Sequence, residues 1–330
     1  MPEHLLLAAE GDRRDVYAAA SAQLGVPATI IEKDVWICWT LDVLFSSPHA
    51  LPMAFKGGTS LSKVFGAINR FSEDIDLTIG FEEVNEELPE SRNKRDRLAE
   101  ALRDRVADHV TSRVLPELHD RLLSEFGEGG VTRLDAETLV VDYPSCYPKH
   151  GGYVHERVKV EFGGRNSIEP HASHRLTALV DELGFEIVTP SAHVSVLAPQ
   201  RTFWEKVTLA HAECGRAEWK HDGERHSRHW YDLYMLADHE IGRSAIGDID
   251  LLADVVRVKK AFWNHGTANY DQCLAGGLRV LPNEPLLGLL EKDYGQMVTA
   301  GMFSSPPPSF EDITERLIRL EAEINETMTR

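Results

Sequence analysis

Apolar residues along this chain follow two rhythms. Up to about Val188, helical stripes are interleaved with short alternating runs, and beyond Pro199 the spacing is helical throughout. Arg13 to Leu24 and Ala28 to Phe45 read as helices separated by Gly25-Val26-Pro27. The second carries Ile31, Val35, Cys38 and Leu41 on one stripe, which leaves Lys33 and Asp34 as solvated surface. A Gly-Gly-Thr-Ser turn at Gly57 to Ser60 opens a further helix, capped by Thr59 or Ser60 and running to about Asn69 with Leu61, Val64, Phe65 and Ile68 buried. A strand follows, in which Ile75, Leu77 and Ile79 point one way and Asp74 and Asp76 the other.

Past an acidic loop at Glu82 to Glu90, a long helix spans Ser91 to Phe126, bent or broken at Pro116. Thr138 to Tyr143, Tyr153 to Phe162 and Phe185 to Val188 have strand patterning. The helix-rich part starts with Arg201 to Cys214, on which Phe203, Val207, Ala210 and Cys214 form the stripe and Lys206 sits at its margin. In the next helix Trp230, Leu233, Tyr234 and Ala237 form the buried face, and Arg228 and Asp232 have the i, i+4 spacing of a surface ion pair. Ile313, Leu317, Leu320 and Ile324 mark a last amphipathic helix. The expected architecture is therefore α/β (α+β), with a sheet-bearing domain over residues 1–190 and a mainly helical domain over 191–330.

Asp plus Glu number 53 against 35 Lys plus Arg, a net charge of −18. Broad electrostatic binding of nucleic acid needs cations, so any RNA contact has to be local. The most basic run, Arg92 to Arg105, is the one candidate, although Glu100, Asp104 and Asp108 within and beside it suit a solvated face. Cys38, Cys146, Cys214 and Cys273 are too scattered for zinc or redox motifs and read as reduced, buried thiols. No apolar run reaches membrane-spanning length, and the cytoplasm is the expected compartment.

The chemistry concentrates between Phe55 and Ile79. Gly57 and Gly58 allow close backbone approach, and free N–H groups at the start of the helix, with the hydroxyls of Thr59 and Ser60, favour a phosphate. Asp74 and Asp76, about 7 Å apart at Cα on one strand face, repel unless a cation lies between them. Mg²⁺, or Mn²⁺ in its place, is the natural partner, since it takes one or two carboxylates together with substrate phosphates. Glu161 is placed like a third acidic ligand on a neighbouring strand, an exposed Glu being the commoner outcome. His226, His229 and Asp232 recur at i, i+3, i+6 but have no companion cluster to complete a transition-metal site.

The segments KGGTSLSKVFGAINRFSEDIDLTI, RTFWEKVTLAHAE and RHSRHWYDLYML, with IEKDVWICWTLDVLF before them, resemble the AbiEii/AbiGii-type toxins of the DNA polymerase β-like nucleotidyltransferase superfamily. The likeness spans nearly the whole chain. It implies a polymerase β-like core, with Asp74 and Asp76 as metal ligands and Gly57, Gly58, Thr59, Ser60 and Ser72 around the nucleotide. Lys206 would hold the nucleotide phosphates, Asp232 would be the later essential acid, and both would come from the helical domain to face Asp74 and Asp76 across a cleft. Glu161 fits the third carboxylate by strand context only. The implied activity is metal-dependent transfer of a nucleotidyl group from an NTP to RNA, the 3′ end of tRNA in several members, with release of pyrophosphate. It also implies a toxin–antitoxin or phage-defence setting and a cognate antitoxin encoded nearby. Transfer to a protein or small molecule, or a nucleotide-binding regulator without turnover, would use the same core.

Overall fold

The computed structural model describes residues 4–83, 87–147, 157–219 and 225–329. They divide into two units: Met1–Val64, Phe71–Glu86 and Ala99–Leu197 make the first, and Phe65–Arg70, Glu87–Leu98 and Ala198–Arg330 the second. The division thus falls seven residues after the expected 190/191 boundary, because Ser191–Leu197 is a strand of the sheet. Two short excursions from the N-terminal half also join the helical unit.

The first unit is built on β1 (Met53–Lys56), β2 (Asp74–Gly80), β3 (Gly130–Arg133), β4 (Thr138–Asp142), β5 (Val158–Asn166), β6 (His171–Thr177) and β7 (Ser191–Leu197). They form one seven-stranded mixed sheet in the order β3-β4-β5-β2-β1-β7-β6. At its centre β2 runs antiparallel to β1 and parallel to β5. Phe55, Ile75, Leu77, Val160, Phe162 and Val196 line one face through these pairings and are buried. Two helices, α1 (Glu10–Leu24) and α2 (Ala28–Ser46), pack on each other, and α2 lies along β7 and β5. A short α3 (Gly57–Lys63) links β1 to the segment before β2.

Several expectations change. The helix that begins at Gly57 ends at Lys63 and not near Asn69, with Gly66 in the left-handed region at φ 56°. Tertiary pairing overrides the stripe. Phe65–Arg70 belongs to the second unit, where the Asn69 carbonyl accepts from Ser304 N at 3.1 Å and Arg70 bridges Phe303. Neither Thr59 nor Ser60 caps α3, since the N-cap is Lys56 and both hydroxyls lie inside the helix. Phe185 to Val188 is not a strand; Val188 makes only an isolated bridge to His4, and the alternation of Ala192, Val194 and Val196 supplies β7 instead. Of the strand expected from Tyr153 to Phe162, residues 153–156 lie outside the described residues, and β5 continues to Asn166.

The helix expected over Ser91 to Phe126 is α4 (Arg92–His109), a π-helical turn at Val110–Val114, and α5 (Leu115–Phe126), which takes Pro116 in its first turn. Pro116 lies where the continuous helical run passes from π to α, and the ring supplies no N–H to the hydrogen-bond ladder at that step.

The second unit consists mainly of α6 (Pro199–Cys214), α7 (Ser227–Ala237), α8 (Glu240–Ile246), α9 (Ile249–Phe262), α10 (Leu286–Thr299) and α11 (Phe310–Thr329). Helix α6 packs on α7, α8 and α9, while α10 and α11 pack on α7. The buried Trp204 and Trp230 donate to Ala245 O at 3.1 Å and Val280 O at 2.6 Å, so large apolar rings are buried without orphaned N–H groups. Tyr234, expected in the buried face of α7, is only half-buried, and Tyr231 and Leu236 fill that face with Trp230, Leu233 and Ala237. Among the described residues no helix is long and apolar enough to cross a membrane.

Candidate active site

In the first unit, β1 ends at Lys56 and Gly57 turns the chain at φ 81° directly into α3. Two independent constraints require glycine here. The backbone is left-handed, and a Cβ would come within 2.2 Å of Asp76 Oδ2 and 3.0 Å of its carboxyl carbon. The Asp76 carboxylate therefore rests against the Gly57 backbone. Lys56 is the cross-strand partner of Asp76 on β1. On the other side, β5 places Lys159 beside Asp74 and Glu161 beside Asp76. Asp74, Asp76, Lys159 and Glu161 thus share the polar face of the central strands.

Thr59 and Ser60 are fully buried and bond within the fold. Thr59 Oγ1 donates to the Asp74 carbonyl, tying α3 to β2, and Ser60 Oγ donates to Gly57 O at 3.0 Å. Gly58 and Ser72 are buried as well. Glu161 lies in register with Asp76, yet its carboxylate is ion-paired with Lys159. Among the described residues no three His, Cys, Asp or Glu side chains assemble into a group that could hold a metal. That includes the His226, His229 and Asp232 series. Two carboxylates on one face, with substrate phosphates completing the shell, are what Mg²⁺ ordinarily takes from a protein, and Asp74 and Asp76 fit that requirement.

Behind this face, α2 carries three consecutive buried charges, Glu32, Lys33 and Asp34. The solvated surface expected for Lys33 and Asp34 is not found, because the sequence shows an unpaired stripe and not the partners from other elements. Lys33 Nζ donates to Glu73 Oε2 at 2.8 Å. Asp34 is ion-paired with Lys63, the last residue of α3, and accepts from Leu179 N at 2.7 Å. Burial would lower the Lys63 pKa, but the Asp34 carboxylate reverses this and holds it above the usual lysine value. Glu32 accepts from Ser145 Oγ at 2.6 Å and Cys146 N at 2.7 Å, and its pKa is raised by burial against the pull of those bonds.

The second unit has its own charged centre. Asp232 on α7 is fully buried. Arg70 grips it bidentately, Nε to Oδ1 and Nη2 to Oδ2, both at 2.7 Å, and Lys206 Nζ on α6 lies 2.9 Å from Oδ2. The surface ion pair expected between Arg228 and Asp232 is replaced by these partners. Burial alone would raise the Asp232 pKa; Arg70 and Lys206 outweigh it and hold the carboxyl below its usual range. Lys206 has its pKa lowered by burial, with Asp232 opposing and Arg70 reinforcing the drop. His229 Nδ1, 3.4 Å from Lys206 Nζ, is pushed well below the usual histidine value by burial and by the nearby Lys206, Arg228 and Arg70. Nothing in the local pattern marks Arg70, whose partner lies 162 residues away.

The sequence model of the family described as the nucleotidyl transferase AbiEii toxin, type IV TA system, matches residues 40–316. Comparison with curated proteins gives no match. Among solved structures the chain is similar to MenT4, the nucleotidyltransferase toxin Rv2826c from Mycobacterium tuberculosis H37Rv, at 17% identity and a TM-score of 0.38, over 95% of this chain and 98% of that one. The family match runs from within α2 to within α11 and takes in β2, Lys206 and Asp232. The chain belongs to the AbiEii family of nucleotidyl transferase toxins of type IV toxin–antitoxin systems.

Proposed function

We propose that this toxin transfers a nucleotidyl group from an NTP to RNA, with the 3′ end of tRNA as acceptor, and that Asp74 and Asp76 hold the divalent ion the reaction needs. The observation that carries the reading is the Asp76 carboxylate seated against Gly57, with Asp74 on the same strand face and tied through its carbonyl to α3. In the reaction the acceptor hydroxyl oxygen attacks the α-phosphorus and gives up its proton to solvent, the bond to the bridging oxygen breaks, and pyrophosphate leaves with the electron pair. Asp74 and Asp76 would hold Mg²⁺ or Mn²⁺, which would supply charge neutralisation at the phosphates and the attacking oxygen. The chain contributes position. The hydroxyls of Thr59 and Ser60 are committed to internal bonds, so the Gly57 to Ser60 turn would meet the triphosphate through backbone N–H groups. Lys206 is the proposed phosphate cation. Glu161, ion-paired with Lys159, would serve as a ligand only after exchanging that partner.

The test is to incubate the purified chain with total tRNA, Mg²⁺ and each α-labelled NTP. Label should enter RNA with at least one NTP and be lost in Asp74→Asn and Asp76→Asn. Blank RNA with labelled protein or small molecule would move the acceptor to that class. Tight Mg²⁺–NTP binding with no pyrophosphate from any acceptor would make the chain a regulator. The family implies an antitoxin partner; we place its gene beside this one and the pair in phage defence in the cytoplasm.

A further inference from the structure

The charged turn of α2 is the feature the functional reading leaves unexplained. A helix residue normally buries its apolar stripe, yet Glu32, Lys33 and Asp34 are consecutive, point in three directions, and are 0%, 2% and 1% exposed. Burying ions is costly unless each is paired in good geometry, and an apolar pair of the same volume would often be no less stable. Stability alone therefore gives little reason for charge at these positions. Their partners share a location. Glu73 immediately precedes Asp74, and Lys63 ends the helix that starts at Gly57.

With Thr59 donating to the Asp74 carbonyl, three links close a triangle: α2 to the residue just before β2 through Lys33–Glu73, α2 to α3 through Asp34–Lys63, and α3 to β2 through Thr59. The first two are ion pairs with side chains under 10% exposed, so water does not compete for them. All three sides of the triangle lie within the first unit.

We infer that Lys33 and Asp34 are positioning residues that fix the Gly57 turn against the Asp74–Asp76 strand face through Glu73 and Lys63. The inference rests on the reading of Asp74 and Asp76 as the metal-holding pair. Neither Lys33 nor Asp34 touches the reacting atoms. Each sets the carboxylate geometry from behind, as partners one shell out from a metal ligand do.

The experiment uses two apolar replacements, Lys33→Met with Glu73→Met and Asp34→Leu with Lys63→Met, because removing whole pairs spares the fold an uncompensated charge. Mn²⁺ binding to the purified full chain is followed by electron paramagnetic resonance, beside thermal unfolding and label transfer, with Asp74→Asn as the site control. Lys33→Met with Glu73→Met should unfold near the wild-type temperature, Asp34→Leu with Lys63→Met a few degrees lower because Leu179 N–H loses its acceptor, and each should bind Mn²⁺ about 10–100-fold more weakly, as loss of an outer-shell partner does. Turnover should fall through kcat more than through KM for the NTP, and Lys33→Arg alone should keep most of both. If one double variant does not fold, the other decides. Wild-type Mn²⁺ affinity and kcat in a folded double variant would overturn the inference, as would failure of both to fold, which would make the triangle a folding element. Mn²⁺ binding that survives Asp74→Asn would overturn it too. If Mn²⁺ binds and responds as expected while the wild type labels no acceptor, the triangle stands and the proposed reaction fails.

Discussion

Gly57→Ala separates the geometry of the carboxylate site from the stability of the fold. At φ 81° an alanine costs about 1–2 kcal/mol for the left-handed backbone alone. At about 2–4 °C per kcal/mol for chains of this size class, unfolding should drop by roughly 2–8 °C. The second effect is local. The new Cβ would meet Asp76 Oδ2 at 2.2 Å, the carboxyl carbon at 3.0 Å and Asp76 Cβ at 3.2 Å, so the whole carboxylate has to shift. Restoring ordinary contact takes a displacement on the order of 1 Å, and misplacement of that size costs about 100-fold in rate. Gly25→Ala and Gly127→Ala supply the controls, since both are left-handed, at φ 68° and 74°, and neither has an atom within 4 Å of the built Cβ. They should lose comparable stability and no activity. Thermal unfolding, Mn²⁺ binding and label transfer are measured on all three. If Gly57→Ala transfers label as fast as the two controls, the seating of Asp76 on Gly57 has no part in the reaction and the reasoning fails.

Histidines held below their usual pKa should give the protein an acid-sensitive stability near neutrality. His229, His226, His211 and His109 all have folded pKa values below 6.5, so the unfolded chain binds more protons as the pH falls through that value. Urea unfolding free energies should then decline below about pH 6.5, by up to about 1.4 kcal/mol per pH unit for each such histidine, and His229→Gln should flatten the slope. All four cysteines are buried and their thiols raised to about 12, so a thiol reagent at pH 8 should modify none in the native protein and four after unfolding. Arg70→Lys keeps the charge but removes the fork that grips both Asp232 oxygens; it should lower the unfolding temperature measurably, and an unchanged value would show that one cation suffices there.

What could be read from the sequence was whatever depends on neighbours in the chain. The strand of Asp74 to Gly80, the helices of Ala28–Ser46, Pro199–Cys214 and Ser227–Ala237, and the common face of Asp74 and Asp76 all follow from local periodicity, whereas the register of Glu161 with Asp76 is set by the pairing of two distant strands. What depends on distant partners stayed hidden. The stripe Leu61, Val64, Phe65, Ile68 is a sound helical pattern, yet Asn69 and Arg70 bond to Ser304 and Asp232, and the chain leaves the helix at Lys63 to reach them. Lys33 and Asp34 look solvated beside an apolar stripe because that stripe covers only one side of α2, whereas the whole of this turn is buried. The exposed edge strand β6, His-Ala-Ser-His-Arg-Leu-Thr, has one buried residue and therefore almost no hydrophobic alternation to detect.

The partners of Asp232 tie it electrostatically to Lys206. Arg70 and Lys206 hold its carboxyl below the ordinary range against the opposing effect of burial, so the anionic form is the one they favour. Both oxygens are occupied, one by Arg70 alone and the other by Arg70 and Lys206 together. Burial pushes Lys206 toward its neutral form, Arg70 pushes the same way, and Asp232 is the strongest influence opposing them. An amide at position 232 would leave two buried cations side by side without their anion, a change of about 3–5 kcal/mol in stability, and would move Lys206 toward deprotonation. If Lys206 is to meet phosphate as an ammonium, Asp232 is the residue that favours its charged form.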